Sequence, residues 1–256
     1  MQIRTNLKSQ DAVQLSAQLS VLGSTVNEAL SLAAFVHSGT FRKEFRPGVT
    51  YVDPYVSHPI RNALRGVRIT QDHLQPPSVQ RLAIACLLHD TVEDGAEKII
   101  DFYADSSAST TRGVGAGFGG FDGIEFVNGD MRTLALDVIS DRFGVTVKDT
   151  VLRVTNPVLP EGMSKVAKDA AYLDHLRREI VTDENAFLTK AMDLIDNAGS
   201  LKHMPDNSRR ARLANKYLQP VVAMVTNADI VENNVVQSVV SARLAQVGDE
   251  LWEMSR

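Results

Sequence analysis

A chain of 256 residues is long enough for one sizeable core or two small ones, and 44% hydrophobic against 23% charged residues is a globular balance, not a disordered or fibrous one. A formal net charge of −4 excludes a sequence-blind electrostatic grip on DNA or on an anionic membrane, so an anionic ligand has to be held by local cations or by a metal. The single cysteine, Cys86, sits in an apolar run and has no internal disulfide partner, which fits a reducing compartment. The opening MQIRTNLKSQDAV carries no apolar signal core, and no stretch approaches ~18 uninterrupted apolar residues. The expectation is a soluble, cytoplasmic protein.

In chain order, DAVQLSAQLSVL places Val13, Leu15, Leu19 and Leu22 at roughly helical spacing before Gly23 stops the pattern. A second helix follows to His37, with Thr25 and Glu28 as a capping box and Val26, Ala29, Leu30, Ala33 and Val36 facing inward. Gly39, Pro47, Gly48, Pro54 and Pro59 then make a loop, with a short hairpin around Gly48. The loop holds clustered cations, Arg42, Lys43 and Arg46, of the kind that suits a phosphate: Arg offers a bidentate fork and Lys a point charge. A solvated charge run is the plainer account of the same residues. Pro59 is favoured at the first position of a helix, so His58 stands at the start of PIRNALRGVRI, braced on one side by regular structure.

QPPSV forms a turn with Ser78 as the cap of the central segment, LAIACLLHDTVED from Leu82 to Asp94. Seven uncharged residues lead into His89, Asp90, Glu93 and Asp94, and a continuous helix puts His89 with Glu93 and Asp90 with Asp94 at i,i+4. An adjacent imidazole and carboxylate suit a metal, and the two further acids suit proton handling. Acids at a helix C-terminus gain nothing from the dipole, which counts against a merely solvated helix end. Residues 106–129 hold seven glycines, with a formal GxGxxG at Gly115 to Gly120. No apolar strand enters it and no helix leaves it, so low complexity accounts for the match.

Helical patterns return at MRTLALDVISDRFG, at VTVKDTVLRVTNP and at SKVAKDAAYLDHLRREIV, the last with Val166, Ala170, Leu173, Leu176 and Ile180 as its stripe. ENAFLTKAMDLIDNAGSL has Phe187, Ala191, Leu194 and Ala198 as its core side, yet Asp193 and Asp196 sit among apolar neighbours, where carboxylates are rarely left unpaired. Asp193 supplies a fourth ligand for a metal held by His58, His89 and Asp90. Two further helical stretches close the chain, without repeats or alternating strands. The fold expected is an all-α helical bundle, a single domain over 1–256 with an insertion at 106–129 and a C-terminal helical extension at 221–256.

Four ordered stretches carry a resemblance: His37-Ser38-Gly39-Thr40-Phe41-Arg42-Lys43, Pro54-Tyr55-Val56-Ser57-His58-Pro59-Ile60, Leu87 to Asp94, and Lys190-Ala191-Met192-Asp193-Leu194-Ile195-Asp196-Asn197. With them the chain resembles, over a family-like core at about 25–220, the hydrolase domain of the RelA/SpoT alarmone enzymes, a branch of the HD-domain metal-dependent phosphohydrolases, and in particular the small stand-alone alarmone hydrolases. The resemblance implies manganese on His58, His89, Asp90 and Asp193, Glu93 and Asp94 as catalytic acids, Arg42 and Lys43 on phosphates, and Asn197 with Tyr217 on the nucleotide. It implies removal of the 3′ pyrophosphate of guanosine tetra- or pentaphosphate, with no membrane or DNA partner, and it leaves open a toxin partner or a homo-oligomer. The chain departs from the family in a longer loop between Lys43 and Pro54, in the glycine-rich insertion, and in having Leu194 and Asp196 where basic or aromatic residues are usual. The alternatives are an HD phosphohydrolase of another nucleotide, and a non-catalytic module that senses an alarmone or acts as an antitoxin.

Overall fold

The computed structural model describes residues 12–41, 54–109 and 128–256. Arg42, Lys43 and Arg46, the hairpin expected around Gly48, and most of the glycine-rich insertion lie outside the described residues. Within them the chain is an all-helical bundle, and the only pairing of extended backbone is an isolated antiparallel bridge between Phe41 and Pro54. No described helix is long and apolar enough to cross a membrane.

The first helix, α1 (Ala12–Leu19), buries Leu15 and Leu19. The left-handed Gly23, at φ 109°, then lets the chain reverse into α2 (Ser24–Val36). Two expectations fail here. Val13 is 79% exposed, and no side chain caps α2, because Glu28 instead accepts hydrogen bonds from Tyr103 (2.9 Å) and Arg142 (2.7 Å).

A hairpin of α3 (Ser57–Thr70) and α4 (Pro76–Leu88) follows, packed closely enough that a Cβ on Gly66 would stand 3.2 Å from Leu82. The α4 helix begins two residues before Ser78, with proline at its first turn and Gln75 at the N-cap; Ser78 accepts from Arg81 instead. Beyond it come α5 (Thr91–Ser109), α6 (Asn128–Phe143) and α7 (Val145–Val154). A single glycine at φ 88°, Gly144, joins the last two, a conformation that a residue with a Cβ rarely takes.

The next helix, α8 (Lys165–His175), covers the body lightly. Its expected stripe meets the core only in its second half: Val166 is 80% exposed, Leu173 is half-buried against the core, and Leu176 and Ile180, in the π-helical turn that follows, are buried. By contrast α9 (Glu184–Ser200) buries thirteen of its seventeen residues and packs against α3, α4, α7, α10 (Asn207–Thr226) and α11 (Asn234–Ser255), so it is the axis of the bundle. The C-terminal segment from residue 221 starts inside α10, and α11 lies along α10 while reaching α9 and α3.

Both α3 and α9 are buried nearly all round, yet they carry His58, Arg61 and Asn62 on one and Lys190, Asp193 and Asp196 on the other. Buried polar groups need partners. These find them in one another, which brings the polar residues of the two helices together inside the core.

Candidate metal centre

The central segment is not one helix. Regular structure stops at Leu88, resumes at Thr91 and kinks again at Gly95. A helix end frees its last carbonyls, and the residues of the break take them: Thr91 Oγ1 donates to Leu88 O at 2.7 Å, and His89 Nδ1 to Cys86 O at 2.9 Å. A carbonyl can only accept, so the proton of neutral His89 is on Nδ1 and the lone pair of Nε2 is available. That nitrogen is buried and has no hydrogen-bond partner among the described residues. Asp90 Oδ2 stands 3.1 Å from it and Asp193 Oδ1 3.5 Å.

From the start of α3, His58 faces the same point. Its Nδ1 is 2.8 Å from Asp196 Oδ2, while its Nε2 is 3.0 Å from Asp193 Oδ1 and 4.0 Å from Asp90 Oδ2. The two imidazoles lie 5.2 Å apart, centroid to centroid. Donor atoms of His58, His89 and Asp90 fall within 4.8 Å of one another. Neighbouring ligands on an ion with bonds of ~2.1 Å are about 3 Å apart, and the spacings around Asp193 Oδ1 and Asp90 Oδ2 are of that order. With a buried imidazole nitrogen that lacks a hydrogen-bond partner among the described residues, His58, His89 and Asp90 form a group that could hold a metal ion, and Asp193 Oδ1 stands beside it.

The surroundings hold each carboxylate in its ionised form. Burial raises the pKa of Asp193, but the Lys190 ammonium 2.8 Å away and the two histidines outweigh it, and the carboxyl lies well below the ordinary range. Burial likewise opposes ionisation of Asp90, yet neighbouring His89 and His58 bring its pKa down. Burial works against a charged His89, while Asp90 and Asp193 more than compensate and lift its pKa well above the ordinary value. A pair of carboxylates that draws a proton onto a buried imidazole also draws a cation, and metal binding would release that proton. Tyr55, next to the Phe41–Pro54 bridge, donates its hydroxyl to Asp90 Oδ2 at 2.6 Å, and Asn197 donates to Asp193 Oδ1 at 2.6 Å. Both contacts orient the proposed ligands.

Glu93 and Asp94 part company. Glu93 accepts from Asn156 through both oxygens, from the backbone N at 2.6 Å and from Nδ2 at 3.1 Å, tying the start of α5 to the segment after α7. This departs from the shared patch expected of an unbroken helix. Asp94 stays on the open side with its side chain 45% exposed, 3.5 Å from His37 Nδ1. Burial, then the charges of Asp90 and Glu93, push its pKa up to about 6. Tyr217 lies on α10, half-buried against the core, with Lys216 over its ring.

Burial also lowers the pKa of His37 to about 4 against the pull of Asp90. The folded value is depressed from 6.5, so the stability tied to a neutral His37 is fully present above pH 6.5 and is lost as pH falls toward 4. At about 1.4 kcal/mol per pH unit that amounts to about 3 kcal/mol. Urea unfolding of the parent chain and of His37→Asn should therefore show a gap in stability that narrows between pH 7 and pH 4. A gap independent of pH would mean that His37 is not held neutral.

Sequence reasoning leaves Tyr55, Arg61, Asn62, Arg65 and Lys190 out of the site and reads Asp196 only as a carboxylate in an apolar setting. The signal available was a polar face at i, i+3, i+4, i+7 on α3, made by His58, Arg61, Asn62 and Arg65, opposite two carboxylates in an apolar helix. Compared with known proteins, the chain matches no family model and no curated protein.

Proposed function

We propose that the protein is a divalent-metal-dependent phosphohydrolase that removes the 3′ pyrophosphate of guanosine tetra- or pentaphosphate, using manganese held by His58, His89, Asp90 and Asp193. One observation supports this above the others: His58, His89 and Asp90 bring ligand-type atoms within 4.8 Å of one another, and Asp193 Oδ1 lies 3.0 and 3.5 Å from the Nε2 atoms of the two histidines. A cation held there supplies Lewis-acid polarisation of a phosphoryl oxygen and activation of water. Hydrolysis adds water to phosphorus and breaks the bond to the 3′ oxygen, so one proton must leave the water and one must reach the leaving oxygen. Asp94 is half-exposed beside the ligands and has a pKa near the working range, which suits proton transfer. Glu93 either shares that work or, through Asn156, sets the position of the turn that carries Asp90 and Asp94. Arg42 and Lys43, which follow Phe41 in the chain, are assigned to the phosphates, and Asn197 and Tyr217 to the nucleotide.

The test is product identification after incubating the manganese-loaded protein with a panel of nucleotides. Guanosine tetraphosphate should yield GDP and pyrophosphate, and a chelator should stop the reaction. Turnover of a different nucleotide alone would move the assignment to another phosphohydrolase activity. Tight alarmone binding without turnover would make the protein a sensor or an antitoxin.

A further inference from the structure

The most heavily bonded carboxylate among the described residues is not a proposed ligand. Asp196 is fully buried on α9, and its two oxygens accept from at least four donors: Oδ1 from Arg61 Nε (3.0 Å) and Arg65 Nη2 (3.0 Å), Oδ2 from Arg61 Nη2 (2.8 Å) and His58 Nδ1 (2.8 Å). A buried ion cluster is a poor way to join two helices, because apolar side chains of similar volume do that at least as well. The cluster has a more specific consequence, for it determines the state of His58.

Asp196 Oδ2 can only accept, so His58 carries a proton on Nδ1, and its Nε2 is directed at Asp193 Oδ1 (3.0 Å) and Asp90 Oδ2 (4.0 Å), the carboxylates that would share a cation with it. Arg65 also arranges a neighbour of the other nitrogen: its Nη1 donates to Asn62 Oδ1 at 3.1 Å and to Met192 O at 3.2 Å, which turns the amide nitrogen of Asn62 toward His58 Nε2 at 3.3 Å. His58, Arg61, Asn62 and Arg65 share one face of α3 at i, i+3, i+4 and i+7, and the fork of Arg61 fixes the plane of the carboxylate.

We infer that Asp196, oriented by Arg61 and Arg65, is the positioning residue that makes His58 a metal ligand, by fixing its tautomer and the direction of Nε2. The departure from the family pattern at Asp196 thus serves the metal centre, with Arg61 and Arg65 as its counter-charges. This rests on the reading of His58 as a ligand. Outer partners of this kind typically change metal affinity by about 10- to 100-fold.

The test is calorimetric titration of the metal-free parent chain and of Asp196→Asn with Mn²⁺, with unfolding of both followed in the absence of metal. Asp196→Asn should bind Mn²⁺ about 10- to 100-fold more weakly per folded molecule. A purely structural role would lower the unfolding midpoint and leave the affinity of the folded fraction at the parent value, which would overturn the inference. No metal binding by the parent itself would overturn both the inference and the function proposed above. Should Asp196→Asn fail to fold, the parent chain decides: imidazole ¹⁵N resonances of the Zn²⁺-loaded protein should show His58 protonated at Nδ1 and unprotonated at Nε2. A proton on Nε2 of His58 would exclude the assignment.

Discussion

Asp193→Ala is expected to emerge without bound metal, without hydrolytic activity, and about 3–5 kcal/mol less stable than the parent chain. Two separate consequences of one side chain produce this. Asp193 Oδ1 stands 3.0 Å from His58 Nε2 and 3.5 Å from His89 Nε2, so its loss opens the ligand set on the side where α9 closes it. Its other oxygen is 2.8 Å from the ammonium of Lys190, which is only 7% exposed and also lies over the ring of Tyr172. Burial lowers the pKa of that ammonium, and Asp193 with its neighbours reverses the effect to hold it well above the ordinary value. Alanine therefore leaves a buried cation with no carboxylate in contact among the described residues. The double variant Asp193→Ala, Lys190→Met separates the two effects: it should regain most of the stability and none of the metal. Elemental analysis showing normal metal in Asp193→Ala would refute the ligand assignment.

The residues proposed as ligands could be read from the sequence because their chemistry is local. A histidine before a helix-starting proline, an adjacent His-Asp after an apolar run, and an aspartate among Ala, Met, Leu and Ile are each anomalous within a few residues. What could not be read depends on partners far along the chain. Asp196 stands out in the sequence only as a carboxylate in an apolar setting, because Arg61 and Arg65, the cations that account for it, lie 135 and 131 positions away. Nor did the sequence indicate that the central helix breaks at His89: its Ala- and Leu-rich run favours continuation, and the break is held by side chains capping its own freed carbonyls. Glu93 then turns to Asn156, a residue in a different loop, rather than joining His89 on one helical face. Val13 and Val166 show the same limit on the apolar side, since a helical stripe identifies a face but not what covers it.

Asp94→Asn should leave the metal in place and lower kcat by ~10²–10⁴, the usual contribution of a general acid or base. Asp94 is near the proposed ligands without touching them through its carboxylate, whose observed neighbour is His37 at 3.5 Å. Burial and the adjacent charges of Asp90 and Glu93 raise its pKa to about 6, so it is mostly ionised at neutral pH and still close enough to that pH to exchange a proton. If it accepts a proton from water, activity falls as pH drops through about 6, and that acidic limb should be missing from whatever activity the Asn variant retains. Asparagine keeps the volume and one acceptor, so Mn²⁺ affinity and KM should stay near the parent values. Glu93→Gln behaves differently, because both Glu93 oxygens accept from Asn156 and an amide would set its NH₂ against one of those donors. That variant should lose stability together with turnover, by the ~1–3 kcal/mol of a broken, partly buried hydrogen bond. The comparison assigns the roles: a large kcat loss at an unchanged unfolding midpoint in Asp94→Asn marks the residue that moves the proton. Parent-level kcat in Asp94→Asn, alongside a stable but inactive Glu93→Gln, would transfer that role to Glu93.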